Sequence, residues 1–444
     1  MAAIPIFIIG ADTLLLYDLL PIIRFAIKYS NFKSIMMISL LKNTLLLCLL
    51  IGFSCNGAFN KDKDSESGSI IQMESQDDKI VEGAARLSEY LPVLKGRIGI
   101  VANQTSVIYH SGGQKYTHLV DTLLARNVDV VRVFAPEHGF RGTADAGEIV
   151  RDGMDIKTGL PIISLYGENK KPAFDDHDLD RVIFDIQDVG ARFYTYISSL
   201  HYVMEACAEQ NIPLIVLDRP NPNGFILDGP ILNMEHSSFV GMHPVPVLHG
   251  MTIGEYARMI NGEGWLKGGI QCELEIVKME NYKHSMRYHL SIKPSPNLPN
   301  DKAINLYPSL CFFEGTNVSA GRGTELQFQI FGSPYLDPAY FKYQFTPVPN
   351  QGAKYPKHEN KLCYGMNLAE ASDLKRIDLS WLVEAYHGTN DKSDFFNSFF
   401  IKLAGTDELR AQIESGYTAE EIRKSWRPGI ADFKKKRQPY LIYD

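Results

Sequence analysis

The sequence predicts an α/β protein with a doubly wound parallel sheet and a second, smaller α+β domain behind it. Three observations carry this. Short unbroken apolar runs recur between residues 95 and 220, helical patterns separate them, and the pattern changes beyond residue 250. A strand covered on both faces reads as a continuous apolar run rather than an alternating one, which marks a parallel sheet between layers of helices.

The elements follow in order. Residues 97–102 (RIGIVA) read as a buried strand, 118–126 as a helix, and 128–134 (VDVVRVF) as a second strand. Residues 160–165 give a short third strand, 181–186 (RVIFDI) a fourth, 196–210 a helix and 212–217 (IPLIVL) a fifth. Right-handed crossovers between such strands build a Rossmann-like layer. Farther on, Thr252 caps a helix over 252–261 with Glu255 at its third position, a capping-box pattern. Residues 273–278 alternate like a strand, 293–334 are rich in Pro, Asn and Gly and read as a long loop, and 380–385 and 418–426 look helical. The expected domains are therefore 80–250 for the Rossmann-like layer and 251–444 for the smaller domain that completes a cleft.

The first 55 residues fall outside this pattern. From Met37 the chain reads MISLLKNTLLLCLLIGFSC, a lysine, an apolar run and small residues before a cysteine, which is a signal-peptide layout. Gly52-Phe53-Ser54-Cys55 resembles a bacterial lipobox, with Gly52 where leucine is usual, so Cys55 is the expected lipidation site. On that reading residues 1–36 are an overextended start. Residues 56–79 are polar and acidic and are expected to form a disordered tether. The protein is thus expected to be exported and anchored to a membrane of the cell envelope by lipid alone.

Composition narrows the function. The 444 residues carry 45 basic and 52 acidic side chains, a net charge of −7, with no basic stripe, so nucleic acid is a poor partner. The six cysteines form no CxxC pair, and neither a zinc site nor a disulfide scaffold is expected. No glycine follows the first strand as a dinucleotide fingerprint requires, and Walker A, HExxH and GxSxG are missing. No cofactor or metal is expected.

In an open parallel sheet, ligands sit at the carboxyl ends of the strands. Here four polar loops follow strands: Asn103-Gln104-Thr105; Glu137-His138-Gly139-Phe140-Arg141; the 185–194 segment with Asp185, Gln187, Asp188, Arg192 and Tyr194; and the 218–224 segment with Asn221 and Asn223. Carboxylates, amides, arginines and rings are the palette of a carbohydrate site. Glycoside hydrolysis needs an acid beside the leaving oxygen, and Glu137, partly desolvated at a strand end, is the leading candidate. Asp185 or Asp188 can pair with Arg192 to pin a loop, and Asp188 can instead orient a reacting group. Later, Glu314, Arg322 and Thr324 sit among small residues, where Arg322 can clamp a carboxylate through two parallel hydrogen bonds. His249 ends a Pro/Val segment as a further candidate.

At these loops the chain resembles the exo-β-N-acetylmuramidases, a family first described as a domain of unknown function. The matching segments are FAPEHGFRG (134–142), DIQDVGARFYTY (185–196), LDRPNPNG (217–224), VLHGMTIGEYA (247–257) and FEGTNVSAGRGTELQFQIFGSP (313–334). The resemblance spans residues 80–444. It implies a site between a Rossmann-like domain and a smaller one, release of terminal N-acetylmuramic acid from peptidoglycan fragments, and no cofactor. It places Glu137 as the principal catalytic carboxylate. Beyond what the resemblance places, Glu314 or Asp188 can be the second acidic group and Arg322 can hold the lactyl carboxylate. The substrate's own 2-acetamido group can also serve as nucleophile. Two other functions remain open at this stage. One is an envelope lipoprotein that binds muropeptides without cleaving them, and the other is a metal-dependent hydrolase built on Glu137, His138, Asp185 and Asp188.

Overall fold

The structure is a computed structural model that describes residues 79–110, 115–141, 148, 152–174 and 178–444. The leader, Cys55 and the tether lie outside the described residues. The strands are β1 (Ile98–Ala102), β2 (Val107–Tyr109), β3 (Tyr116–His118), β4 (Val130–Ala135), β5 (Gly153–Met154), β6 (Pro161–Ser164), β7 (Arg181–Asp185), β8 (Leu214–Leu217) and β9 (Leu274–Val277). Seven of them form one sheet in the order β5-β6-β4-β1-β7-β8-β9. Only the edge strand β5 runs antiparallel to its neighbour. Counted along the chain, the six parallel strands stand 3-2-1-4-5-6, so the winding reverses beside β1 and opens a crevice at the carboxyl ends of β1 and β7.

The apolar runs explain the layering. In β1, Ile98, Ile100 and Ala102 face one core while Val101 faces the other. Likewise Ile183 turns from Val182 and Phe184, and Ile215 and Leu217 turn from Leu214 and Val216. Each strand therefore needs apolar residues at successive positions. The helices are α1 (Leu87–Tyr90), α2 (Leu119–Leu124), α3 (Tyr196–Gln210), α4 (Ile253–Gly262), α5 (Asp301–Leu310), α6 (Ser380–His387), α7 (Phe400–Ala404), α8 (Glu408–Glu414) and α9 (Ala419–Arg437). One core packs α2 on a face of the sheet, and the larger one runs without a break from the opposite face through α3 and α4 into the C-terminal helices. A small antiparallel sheet of β10 (Ile330–Ser333), β12 (Cys363–Asn367) and β11 (Tyr343–Phe345), in that order, belongs to the second domain.

Two expectations about organisation are corrected. The division after residue 250 is too early, because β9 pairs with β8 and α4 packs beside it, so both extend the first layer. The long loop expected over 293–334 contains α5, capped by Asn300, whose side chain accepts from the Ala303 N–H. Pro308 sits inside this helix and made the sequence read as loop. Its missing N–H leaves the Ile304 carbonyl without its usual helical donor, and Asn223 Nδ2 donates to that carbonyl instead at 3.3 Å. The capping box of α4 forms as expected from Thr252 and Glu255. Four cysteines, at 207, 272, 311 and 363, are buried free thiols.

The ends of β7 and β8 are joined by a buried ionic network. Arg219 donates from Nε to Asp185 Oδ1 at 2.6 Å and from Nη1 to Glu82 Oε2 at 2.9 Å. A second contact reaches Asp185 Oδ2, and the Val107 carbonyl takes another N–H of the same fork. The two carboxylates hold this guanidinium firmly protonated, against the opposing effect of burial. Removing one partner of such a network strands the other charges in a low dielectric. Arg219→Met is therefore expected to destabilise the fold by roughly 3–5 kcal/mol, measured as the loss of unfolding free energy in denaturant; an unchanged midpoint would show that the network holds nothing together.

Candidate active site

A hollow of about 480 Å³ opens beyond the strand ends, within the range of about 300–1,000 Å³ usual for small-molecule sites. Three parts of the chain build it. The turn after β4 brings Glu137 and His138, the segment entering α3 brings Phe193, Tyr194 and Thr195, and the second domain brings Tyr307, Glu314, Arg322 and Phe328. His138 adopts a left-handed backbone at φ 71° and is followed by Gly139 at φ 76°. This tight reversal, closed by a Gly139 N–H to Pro136 carbonyl bond of 3.0 Å, turns the chain back directly after Glu137.

Glu137 is half-buried. Thr195 donates its hydroxyl to Glu137 Oε2 at 2.7 Å, and Tyr166 also hydrogen-bonds the carboxyl. Thr195 is the N-cap residue of α3 but its side chain does not cap the helix, so the hydroxyl is committed to the acid. Glu314 lies on the opposing domain, where Arg322 Nη1 meets its Oε1 at 3.3 Å. Aromatic walls connect them: the Tyr307 ring stands edge-on to Phe193 at 5.3 Å and to Phe328 at 4.9 Å, and Tyr194 stands edge-on to Tyr196 at 4.8 Å. Asn297 also lines the hollow. Its Nδ2 donates to the Gly352 carbonyl at 2.6 Å, and its buried Oδ1 has no partner. Buried acceptors are normally satisfied, so this oxygen suits a donor from a bound ligand. A smaller hollow of about 290 Å³ shares Glu314, Arg322 and Phe399 with the first. Lys357, beside it, gives its ammonium to the carbonyls of Phe313, Thr316 and Val318, and burial pushes it down to about 8.

Of the residues singled out in the sequence, Glu137, His138, Tyr194, Glu314 and Arg322 line this hollow. The others do not, and their partners explain why. Asn103 accepts from Thr105 and donates to the Tyr196 hydroxyl at 3.0 Å. Arg141 pairs with Asp155 and Asp185 with Arg219. Gln187 donates to the carbonyls of Asp188 and Pro220. Arg192 is fully buried and pairs with neither Asp185 nor Asp188. It donates to four carbonyls, those of Pro230, Val245, Leu403 and Ala404, at 2.8–2.9 Å. Asn221 fills the space beside Gly190, whose φ of +75° and close approach exclude a side chain there, and donates to the Met251 carbonyl. Asn223 donates to the Val189 carbonyl as well as to α5. His249, pushed down to about 3 chiefly by burial, accepts from the Met251 N–H, and Thr324 donates to the Gly321 carbonyl within its own turn.

Asp188 is likewise no second acid of the hollow. It is buried, takes the Gly190 N–H at 2.6 Å and lies near Tyr194 and Tyr196. The sequence reading missed Thr195, Tyr166, Lys170, Phe239 and Asn297. Thr195 sits inside the quoted 185–196 segment, so its signal was available, whereas the other four belong to no recognisable pattern. Among the described residues no group of three or more His, Cys, Asp or Glu side chains is arranged to hold a metal ion. The donor set expected for a metal-dependent hydrolase is divided, because Asp185 is spent on Arg219.

A doubly wound sheet whose strand-end turns and second domain enclose an acid-bearing, aromatic-walled hollow has the build of a sugar-processing α/β enzyme. Models of the exo-β-N-acetylmuramidase NamZ match residues 98–302 with its N-terminal part and 305–443 with its C-terminal part, and the chain belongs to this family. The chain is 37% identical over 379 residues to the peptidoglycan β-N-acetylmuramidase NamZ of Bacillus subtilis (strain 168), covering 80% of this chain and 89% of that one. Two crystal structures of DUF1343 family proteins from Bacteroides fragilis are similar. One is 46% identical with a TM-score of 0.74, covering 82% of this chain and 99% of that one. The other is 28% identical with a TM-score of 0.68, covering 83% and 100%.

Burial pushes Asp188 up to about 7 from its ordinary 3.8, with the Gly190 and Val189 N–H groups opposing. The folded state therefore favours the neutral acid. The stability this gives is full below the ordinary value and is lost as pH rises through about 7. Asp188→Asn, which is neutral throughout, is expected to remove this loss and to stabilise the protein at pH 7.5 relative to pH 4 by roughly 2–4 kcal/mol against the wild type. Denaturant unfolding at the two pH values reads it, and parallel shifts in both proteins would refute it.

Proposed function

We propose that this chain is an exo-acting glycoside hydrolase that releases terminal N-acetylmuramic acid from the non-reducing ends of peptidoglycan fragments, in cell-wall turnover and recycling. The observation that carries the reading is the hollow in which Glu137 and Glu314 converge from two domains, in a chain that both halves of the family model match. A sugar ring meets an apolar wall that includes Tyr307, Tyr194 and Phe193, and Asn297 Oδ1 offers an acceptor to a hydroxyl or amide N–H.

In the reaction, Glu137 acts as general acid and gives its proton to the glycosidic oxygen as the C1–O bond breaks. Thr195 and Tyr166 are positioning residues that fix the carboxyl. Glu314, held by Arg322, is the second acidic group, and it takes the proton of the attacking water or steadies the positive charge at C1 while the substrate's 2-acetamido group closes on that carbon. The signal-like segment from Met37 and the lipobox-like Cys55 support export and lipid anchoring in the cell envelope, where peptidoglycan fragments arise. A muropeptide-binding lipoprotein without activity is the competing reading, and turnover separates the two.

Glu137→Gln is expected to lower turnover of an aryl β-N-acetylmuramide by about 10²–10⁴ while binding persists. Thr195→Val should reduce kcat several-fold with little change in KM. Product analysis on a muramyl-glucosamine disaccharide checks the bond cleaved, and wild-type protein that binds the disaccharide without releasing sugar would overturn the assignment.

A further inference from the structure

The proposed substrate differs from an N-acetylglucosaminide by one group, the lactyl ether on C3 with its carboxylate. Arg322 was the sequence-based candidate for holding that carboxylate. In the structure its charge is already matched by Glu314 at 3.3 Å, and its other arm donates to the Gly352 carbonyl at 3.3 Å. Lys357, the cation beside the neighbouring hollow, is buried against three carbonyls. Among the described residues that line the main hollow, Lys170 is the ammonium with no carboxylate partner, and its Nζ stands 5.2 Å over the Phe239 ring.

Lys170 belongs to a built surface. Ser238 and Gly241 exchange backbone hydrogen bonds of 2.9 Å each, and this tight reversal carries Phe239 and Val240 at its tip into the wall of the hollow. Tyr202 stacks on Phe239 at 6.3 Å with 19° between planes, and Tyr166 leans on it at 6.0 Å. Tyr166 also touches the carboxyl of Glu137. Phe239 and Tyr166 thus stand between the unmatched ammonium and the acid along one wall of the hollow.

We propose that Lys170, held over Phe239 at the wall of the hollow, recognises the lactyl carboxylate of N-acetylmuramic acid and so separates muramides from glucosaminides. The inference rests on the muramidase reading above. The carboxylate takes a charge-assisted hydrogen bond from an ammonium that already stands over an aromatic face.

The test is calorimetric binding of N-acetylmuramic acid and of its lactyl amide to the full chain, in wild type, Lys170→Met and Lys170→Arg, with wild-type turnover of an aryl β-N-acetylmuramide followed in parallel. Wild type should prefer the acid over the amide by about tenfold or more. Lys170→Met should abolish that preference and Lys170→Arg should keep most of it. A preference that survives in Lys170→Met overturns the proposal, and so does an equal loss of affinity for both ligands, which marks a merely structural role. If turnover persists in either case, the muramidase reading stands without it. Wild type that neither binds nor cleaves a muramide overturns both.

Discussion

The site depends on one buried cation. Arg192 carries a full charge into the interior with no carboxylate beside it, and burial pushes it down to about 10, still protonated at neutral pH. A charge there is tolerable only when oxygen dipoles replace its water shell. Four carbonyls do so, two from the segment around 230–245 and two from the end of α7 more than 200 residues away in sequence. Its backbone N–H adds a bond of 2.7 Å to the Val247 carbonyl. The loop after β7 is thereby fastened to the second domain directly behind the hollow, whose lining includes Leu403 itself. Glycine at 405 follows from this packing: its φ is +73°, and a side chain there would collide with the guanidinium.

Around this fastening the strand-end loops divide their work. The loop after β1 does not reach the hollow. Asn103 supports the Tyr196 hydroxyl, and that hydroxyl approaches the Glu137 carbonyl at 3.4 Å. The loop after β8 locks the one after β7 through Asn221 and Asn223. Few polar side chains are therefore left to meet a ligand, and those few are rigidly presented. Precision of this kind comes from supporting residues whose own donors and acceptors are satisfied.

This division sets what could be read from the sequence. The sheet was legible because burial on both faces demands unbroken apolar runs, and α4 was legible because Thr252 and Glu255 write a capping box. Glu137 was legible because its turn follows a strand end and its neighbours are turn formers. The roles of Arg192, Asn221 and Asp185 were not. A sequence shows which side chains gather at a strand end, but not whether a carbonyl from a distant helix or a second buried ion will claim them. Lys170 and Phe239 were invisible for the opposite reason. A lone lysine reads as solvated surface and a lone phenylalanine as core, and they matter only because a short reversal at 238–241 folds one under the other.

The two carboxyls of the hollow meet different company, and this contrast bears on the chemistry. Glu137 is approached by hydroxyls, from Thr195 and Tyr166, which fix its direction. Glu314 is approached by the Arg322 guanidinium, with the Lys357 ammonium contributing to the same field. Carboxyls that share a site divide proton-donating from charge-bearing work when their surroundings differ in this way. The proposed roles follow this company, with Glu314 beside the guanidinium as the charge-bearing group and Glu137 among hydroxyls as the acid. The two groups arrive from different domains, and the packing that Arg192 secures between those domains lies directly behind the wall on which they meet.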